Sequence, residues 1–386
     1  MIKLADNTID KQDINSLCNW LQQDAIPQLT KGPLTIKYET DYAKRISRKY
    51  AVFVNSGSSA NLISIYSLIV SERLKNNKVI IPAVSWITTI SPILQFGLQP
   101  ILCDVNLNNL SVDLNHLEFL FKNENPSLLI IVSVLGLLPD IKEIINLCDK
   151  YDVLLMMDNC ESQGSKYNGI QIESFGLIST CSSYFGHITS TIEGGMIVTD
   201  DSNLYRIIKS LRSHGWTREW DKWESDKFNY TWNIDSIESM YTFYYPSFNC
   251  RNTEIAAFLG LKQLEKLDYI SDKRYNNYKL FNDLIDNKYW KPLLCNTNKV
   301  SNLGYPIITD KRHTLIKALI KNNIECRPLI SGSMGRQPFW IERYGRQEMM
   351  NASLCHTAGL YVPNHAHISF ENIEYIVNVV NSITCG

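Results

Sequence analysis

Short apolar stretches alternate with helical patterns along the first half of the chain. The first stretch, from Tyr50 to Val54, is followed by the polar run Asn55 to Ser59 and then by a helix with apolar periodicity. Further apolar stretches have the sequences KVIIP, QPILC, SLLIIV and VLLMMD. Short apolar strands that alternate with helices predict a mainly parallel sheet covered by helices on both faces.

The pattern changes after about residue 200. Residues 221–240 are polar, aromatic and weakly patterned, which predicts a long loop or flap. A long helical pattern then begins shortly after residue 250 and continues to about Asp286, and the strands and helices beyond it are short. We therefore predict a large domain over residues 1–250. The long bridging helix and a small α+β domain should occupy residues 251–386.

Polar side chains follow several of the predicted strands. Asp158 and Glu161 come after the strand VLLMMD, and His187 lies in a polar loop between the strands LISTC and MIVTD. Gly57 and Ser58 open the first apolar helix, where free backbone N–H groups can bind a phosphate. Ligands bind beyond the carboxyl ends of the strands in sheets of this kind. Each feature also has a structural alternative: the serines and Asp158 as helix caps, and His187 as part of a tight turn.

Composition and charge exclude several functional classes. The chain is 45% hydrophobic and 20% charged with a formal net charge of −1, so neither its charge nor any basic run favours a nucleic-acid partner. No apolar run approaches membrane length, and the N-terminal sequence lacks an apolar signal core. The ten cysteines form no CxxC or CxC pair, so we expect no metal site. We expect reduced thiols in a cytoplasmic protein.

The motifs NSGSSAN, AVSW, DNCES, SSYFGH with EGG, RSHGWTR and FNCR occur in this order across nearly the whole chain. In this order they resemble the sugar aminotransferase family of pyridoxal-phosphate enzymes. The resemblance implies fold type I, the aspartate-aminotransferase-like fold. That fold has a large domain with a mainly parallel sheet between helices, and a small C-terminal α+β domain. The resemblance also implies a homodimer whose active sites are shared between the subunits.

The chain departs from the family aminotransferases at the position of their cofactor lysine. A lysine six residues before EGG carries the cofactor there, whereas this chain has His187 and no lysine between Lys166 and Lys209. Imidazole forms no Schiff base, so the resemblance implies non-covalent pyridoxal or pyridoxamine phosphate. A histidine can act as general acid and base, and a partly exposed imidazole should need little tuning of its pKa. Glu161 replaces the usual glutamine, a departure shared with the family's nucleotide-sugar 3-dehydratases.

The resemblance also assigns cofactor contacts. The residues expected at the phosphate, in the same or the neighbouring subunit, are Gly57, Ser58, Ser59, Ser182, Asn249 and Arg251. Asn249 and Arg251 are the two expected to reach across the dimer interface. Trp86 should stack on the pyridine ring, Asp158 should pair with the ring nitrogen, and Glu161 should lie near the ring oxygen.

Three further residues are expected to bind the substrate: His214, Arg218 and Arg327. His214 has an alternative as a helix-end histidine bonded to the backbone. Arg327, together with Arg336 and Trp340, either contacts the nucleotide or packs the small domain.

The activity implied is a 3-dehydratase that removes the C3 hydroxyl of a nucleotide-linked 4-keto-6-deoxy sugar. We expect a GDP-linked substrate, with glutamate as the amino donor. The same chemistry on a GDP-6-deoxy-heptose or a CDP-hexose stays open. The CDP-hexose enzyme uses an iron–sulfur cluster, but Cys250 stands alone after EGG, so we expect no iron–sulfur reductase partner. A non-catalytic cofactor-binding sensor or partner protein is the other class, and the intact Asp158, phosphate loop and Asn249 weigh against it.

Overall fold

The computed structural model describes residues 1–293 and 297–384. Its helices are α1 (Lys11–Leu21), α2 (Pro33–Arg45), α3 (Gly57–Val70), α4 (Ile87–Gln95), α5 (Leu114–Glu124), α6 (Ile141–Tyr151), α7 (Ser202–Arg212), α8 (Lys222–Thr231), α9 (Glu254–Leu284), α10 (Arg312–Lys321), α11 (Pro338–Tyr344), α12 (Met350–Ala358) and α13 (Phe370–Thr384). Its strands are β1 (Tyr50–Val54), β2 (Lys78–Pro82), β3 (Gln99–Cys103), β4 (Leu128–Val132), β5 (Leu154–Asp158), β6 (Lys166–Tyr167), β7 (Ile170–Gln171), β8 (Ile178–Ser182), β9 (Gly195–Thr199), β10 (Gly304–Ile308), β11 (Arg327–Pro328) and β12 (Gly359–Pro363).

The large sheet has the strand order β1-β9-β8-β5-β4-β2-β3. Strand β9 is antiparallel to both of its neighbours, and the other pairings are parallel. All five side chains of β4 are buried, as expected for a central strand with helices on both faces. The prediction of a mainly parallel sheet between helices is confirmed.

Side-chain caps set the first turn of several helices. Ser56, Asp113 and Thr253 each accept a hydrogen bond from the backbone N–H three residues later, at 3.0, 2.8 and 3.2 Å. Such a cap stabilises a helix by about 1 kcal/mol. The caps therefore explain why α3, α5 and α9 begin where they do.

The strand register brings the polar strand ends together. Asp158, the last residue of β5, pairs with Thr180 of β8. Ser182, the last residue of β8, lies opposite Gly195, and Gly195 also lies opposite Val54 at the end of β1. The carboxyl ends of β1, β5 and β8 therefore share one edge, next to the start of α3.

A second, smaller sheet lies beyond α9. It has the order β10-β12-β11 and is antiparallel throughout. The loop after β11 is docked on the loop before α4: the Met334 N–H donates to the Ala83 carbonyl at 2.8 Å, and the Ser331 hydroxyl donates to the Ser85 carbonyl. The small sheet is thus tied directly to the large one. The domain division at residue 250 stays a prediction.

The expectation of a long loop or flap over residues 221–240 is wrong for its first half. Helix α8 occupies Lys222–Thr231, and a single 3-10 turn follows at Glu238–Tyr241. No side chain of α8 is buried, so the helix has no apolar face to impose a periodicity on the sequence. That missing periodicity is why the pattern did not predict a helix.

The cysteines within the described ranges are free thiols: Cys18, Cys103, Cys148, Cys160, Cys181, Cys250, Cys326 and Cys355. The predicted thiols at Cys295 and Cys385 lie outside the described residues. Over the same ranges, every helix is too short or too polar to cross a bilayer.

Candidate active site

His187 lies in the connection between β8 and β9, which hydrogen bonds hold in a fixed shape. The Ser183 N–H donates to the Gly194 carbonyl and the Thr191 N–H donates to the Ser183 carbonyl, both at 2.9 Å. The Nδ1 atom of His187 lies 3.3 Å from Ser182 Oγ. The imidazole also packs edge-on against the Tyr184 ring, with centroids 5.7 Å apart. The loop therefore presents the imidazole beside the end of β8.

Burial, and to a smaller extent the positive charge of Arg274, lower the pKa of His187 to about 4. The expectation of an imidazole with a pKa near neutrality is therefore wrong. A half-buried ring loses part of the hydration that stabilises its charged form, and a neighbouring cation adds repulsion. His187 is thus neutral at pH 7, in the form that accepts a proton.

The start of α3 forms a small cradle against the end of β8. The Ser56 hydroxyl accepts from the Ser59 N–H, which leaves the N–H groups of Gly57 and Ser58 without an acceptor inside the helix. A Cβ on Gly57 would lie 2.7 Å from Ser182 Cβ and 2.8 Å from Cys160 Sγ. Only glycine fits there. The structure therefore brings Gly57, Ser58 and Ser182 together, while the Ser59 N–H is already used by the cap.

Asp158 is 4% exposed and its carboxylate is held by two other side chains. Its Oδ2 accepts from Asn61 Nδ2 and from Thr89 Oγ1, both at 2.8 Å. Asn61 is fixed in turn by the Thr180 hydroxyl, which donates to its Oδ1 at 2.7 Å. Sequence reasoning missed Asn61 and Thr89, although Asn61 belongs to the quoted motif NSGSSAN. Its Oδ1 also accepts from the Cys160 N–H at 3.2 Å, but the residues that follow form a turn, so the carboxylate is not a helix cap.

Trp86 is the N-cap residue of α4 and its ring is 52% exposed. The Ser58 hydroxyl donates to Thr88 Oγ1 at 3.1 Å, which joins the start of α3 to the start of α4. Trp86 therefore belongs to the helix start that is joined to the cradle. An exposed tryptophan beside a phosphate-type site is suited to stacking on a planar ring.

Glu161 is half-buried below the same edge. Its Oε2 accepts from the Leu135 N–H at 2.5 Å. Burial raises the pKa of Glu161 to about 8, although the hydrogen bond from Leu135 opposes the shift. The side chain is therefore a neutral carboxylic acid at pH 7, which can donate a hydrogen bond.

A second group of polar residues surrounds Trp216. Arg251 Nη2 lies 3.3 Å from His214 Nε2, and Arg251 Nε donates to Asn249 Oδ1 at 3.1 Å. The Arg218 guanidinium lies 4.0 Å from the centre of the Trp216 ring. The structure thus brings together Asn249, Arg251, His214 and Arg218, all expected at the cofactor phosphate or the substrate.

Two of these residues have contacts that refine the expectations. Arg251 pairs through its backbone with Val54 of its own chain, at the end of β1. Its role at a neighbouring subunit's phosphate stays a prediction. The His214 backbone N–H donates to the Phe248 carbonyl at 2.7 Å, while its ring contacts Arg251 and is not satisfied by the backbone.

The C-terminal candidates are not gathered into one group. Arg327 is exposed on β11 and donates to Glu325 at 2.5 Å. Arg336 is paired with Glu348 at 2.7 Å, and Trp340 is 2% exposed in the core. The packing alternative therefore holds for Trp340.

The chain is similar to characterised proteins over nearly its whole length. The sequence profile of the DegT/DnrJ/EryC1/StrS aminotransferase family matches residues 7–381. The GDP-4-keto-6-deoxy-D-mannose 3-dehydratase of Yersinia pseudotuberculosis is 32% identical over 391 aligned positions, which cover 98% of this chain and 97% of that protein.

Solved structures agree with the sequence comparison. A mutant of GDP-4-keto-6-deoxymannose-3-dehydratase with bound GDP-perosamine superposes with a TM-score of 0.89 at 31% identity, covering 98% of this chain and 100% of the other. The same enzyme with a trapped adduct of pyridoxal phosphate and glutamate gives the same TM-score, identity and coverage. These similarities confirm the expected aspartate-aminotransferase-like fold and the resemblance to the sugar aminotransferases.

Proposed function

The chain belongs to the DegT/DnrJ/EryC1/StrS aminotransferase family, and from that premise we propose that it is a pyridoxal/pyridoxamine-phosphate-dependent 3-dehydratase. Its substrate is a GDP-linked 4-keto-6-deoxyhexose, from which it removes the C3 hydroxyl with glutamate as amino donor. The observation that carries the proposal is His187 at the lysine position, beside Ser182 and the start of α3. The relatives of the same activity support a GDP-linked hexose over the heptose and CDP-hexose alternatives.

The residues at the sheet edge fit the cofactor. The free N–H groups of Gly57 and Ser58 and the Ser182 hydroxyl would hold its phosphate, at the helix start that the close contact of Gly57 with Ser182 keeps against β8. Asp158, held by two side chains, would keep the ring nitrogen protonated, and Trp86 would cover one ring face. When bound, the cofactor supplies an amine for the C4 ketone and a ring that delocalises electrons.

His187 would move one proton between two positions. Its Nδ1 is beside Ser182 Oγ, so Nε2 is the atom left for the reacting groups. The neutral imidazole would accept a proton at Nε2 and later return it to the C3 hydroxyl of the sugar, so that this oxygen could leave as water. One group serving as base and then as acid is typical of histidine.

Glu161 would donate a hydrogen bond to the cofactor's ring oxygen. A buried carboxylate would repel an oxygen that carries negative charge, whereas a carboxylic acid with a pKa of about 8 stabilises it at neutral pH. The replacement of the usual glutamine therefore keeps a neutral donor at this position.

The proposal includes a homodimer that works in the cytoplasm. Large apolar side chains are exposed between residues 223 and 243, and a patch of this kind is typical of a protein–protein interface. This patch, which we call the aromatic segment, contains Trp223, Tyr230, Trp232, Ile237, Tyr241 and Phe243. The free thiols support a reducing compartment.

The test is a reaction with defined components. Purified protein, pyridoxal phosphate, glutamate and GDP-4-keto-6-deoxymannose should give the 3-deoxy ketone, with one ammonia released per sugar and no reductase present. The matching CDP-hexose is the control substrate and should turn over much more slowly. A 4-amino sugar product without ammonia release would show an aminotransferase instead. An equal rate with the CDP sugar would contradict the assigned nucleotide.

A further inference from the structure

Arg274 is a buried cation that joins three parts of the molecule. It lies in the middle of α9 and is 2% exposed. Its Nη1 donates to the carbonyl groups of Asn302 and Asn364 at 2.9 and 2.8 Å. Its Nη2 donates to the backbone carbonyl of His187 at 3.2 Å. The guanidinium therefore links the His187 loop to one end of the small antiparallel sheet, where β10 begins after Asn302 and β12 ends before Asn364.

The charge of Arg274 has no carboxylate partner among residues 1–293 and 297–384. The groups it donates to are backbone carbonyls, and burial lowers the pKa of Arg274 itself to about 10. A guanidinium with this pKa still carries its charge at pH 7. A buried cation without a counter-charge is costly, and here backbone carbonyls take the place of a carboxylate partner.

We propose that Arg274 is a positioning residue for the reaction: it fixes the backbone of His187, and its uncompensated positive charge acts on the imidazole. This inference rests on the proposed role of His187 as the group that moves the proton. The fork geometry of the guanidinium explains why arginine suits the site, since one side chain reaches carbonyl groups on three segments.

The charge would act on both halves of the proton transfer. It disfavours protonated His187 before the substrate binds, which keeps the base available. The same repulsion makes the protonated imidazole a stronger acid, so the proton taken from the cofactor carbon passes more readily to the C3 oxygen. The C3–O bond then breaks with release of water, and His187 returns to its neutral form.

The other titratable groups around His187 do not offset Arg274. On its own loop the ring meets the Tyr184 ring and the Ser182 hydroxyl. From the small sheet, burial and Arg274 lower the pKa of His365 to about 4, so this histidine is also neutral. The N-terminal carboxylate Asp6 is paired with His367 at 3.2 Å. Arg274 is thus the charged group that acts on the imidazole.

The test is a titration of His187 in the holoenzyme, followed by NMR of labelled histidine and assigned with His187→Asn. In Arg274→Gln the His187 pKa should rise by about one unit or more, because a like charge is removed. In Arg274→Lys the charge stays, so the pKa should remain near the wild-type value while turnover falls through lost loop contacts. An unchanged pKa in a folded Arg274→Gln would overturn the proposal.

Two further variants keep the test decisive. Asn364→Asp retains Arg274 and adds a buried carboxylate at a residue whose backbone carbonyl accepts from the guanidinium, so the His187 pKa should rise even if Arg274→Gln fails to fold. Arg48→Gln is the matched control, since Arg48 also donates to the carbonyls of Ser174 and Gly176, near the opposite end of β8. It should leave the titration unchanged. The titration measures the effect of the Arg274 charge on the His187 pKa, whether or not the protein dehydrates sugars. Failure of the proposed function would appear separately, in the product assay.

Discussion

At the scale of single residues, the site depends on two groups whose protonation is set by burial. His187 is neutral at pH 7 because its pKa is lowered to about 4, and Glu161 is neutral because its pKa is raised to about 8. Both shifts come first from desolvation, which disfavours the charged form of either group. The candidate site therefore includes a neutral base, His187, and a neutral acid, Glu161.

Replacing His187 by asparagine should abolish dehydration. Asparagine keeps a polar side chain of similar size but cannot accept and return a proton, so turnover should fall by about 10² to 10⁴-fold. Product formation followed by chromatography of the nucleotide sugars measures the change. The exposed His313→Asn on α10 is the control and should retain wild-type turnover. Full activity in His187→Asn would remove the histidine from the mechanism.

Cofactor affinity of the wild-type protein should decline at high pH, and replacing Glu161 by glutamine should abolish that decline. The wild-type carboxyl is protonated below its pKa of about 8 and becomes charged as the pH rises through that value. Wild-type affinity should therefore decline between about pH 7.5 and 9.5, while Glu161→Gln stays flat. Spectroscopic titration with pyridoxamine phosphate across this range gives the measurement.

Glu173→Gln is the matched control for this effect. Glu173 is also buried, and burial raises its pKa to about 7, but its Oε1 accepts from the Gly164 N–H outside the cradle. Both carboxyls should lower folding stability as the pH rises from about 4.5 to their folded pKa, because the unfolded chain releases the proton first. Only Glu161 should change the cofactor affinity. If the cofactor affinity of Glu161→Gln declines with pH as that of the wild type does, a group other than Glu161 titrates.

At the scale of elements, the start of α3 depends on contact between a helix and a strand end. Gly57 approaches Ser182 and Cys160 so closely that a methyl group has no space, and its helix dihedral angles need no glycine. The glycine is therefore required by packing and by access of a phosphate to the backbone N–H groups.

Gly57→Ala should weaken cofactor binding by at least tenfold. The added Cβ would collide with Ser182 and Cys160 and push the start of α3 away from β8, which would separate the N–H groups of α3 from the Ser182 hydroxyl. Equilibrium dialysis with pyridoxal phosphate measures the affinity. Ser71→Ala, at the other end of α3, is the control and should leave binding unchanged. Unaltered affinity in Gly57→Ala would place the phosphate elsewhere.

At the scale of the whole molecule, the exposed aromatic segment indicates an interface with a second subunit. It lies between α7 and α9, in the same stretch of chain as Arg218 and before Asn249 and Arg251. If the second subunit covers it, the site residues on either side of it lie near the interface. This arrangement would account for shared active sites.

Replacing Trp223 and Trp232 together by serine should convert the dimer to monomers. Both side chains are exposed, at 66% and 67%, and the double replacement removes the two tryptophan rings of the aromatic segment. Size-exclusion chromatography with light scattering measures the mass. Phe119→Ser on α5, another exposed aromatic, is the control. A double variant that remains dimeric would place the interface on another surface.

Much of the fold was predictable because its signals are local. Apolar strands such as β4 and β5, the long helix α9 and the glycine–serine start of α3 follow from periodicity and from residues adjacent in sequence. Helix α8 was missed because it buries no side chain. The strand order was not predictable either, since pairing of β1 with β9 joins segments far apart in the chain.

The sequence by itself determined which chemical groups are present at the site. It has His187 at the position where a lysine is expected, and no lysine lies between Lys166 and Lys209. Both facts are matters of residue identity. Only the tertiary structure decided the state of those groups. Arg274 contacts the His187 carbonyl from 87 residues away, and Asn61 reaches Asp158 from 97 residues away. Burial and charge act through space, so the pKa of His187 depends on neighbours that no local pattern contains.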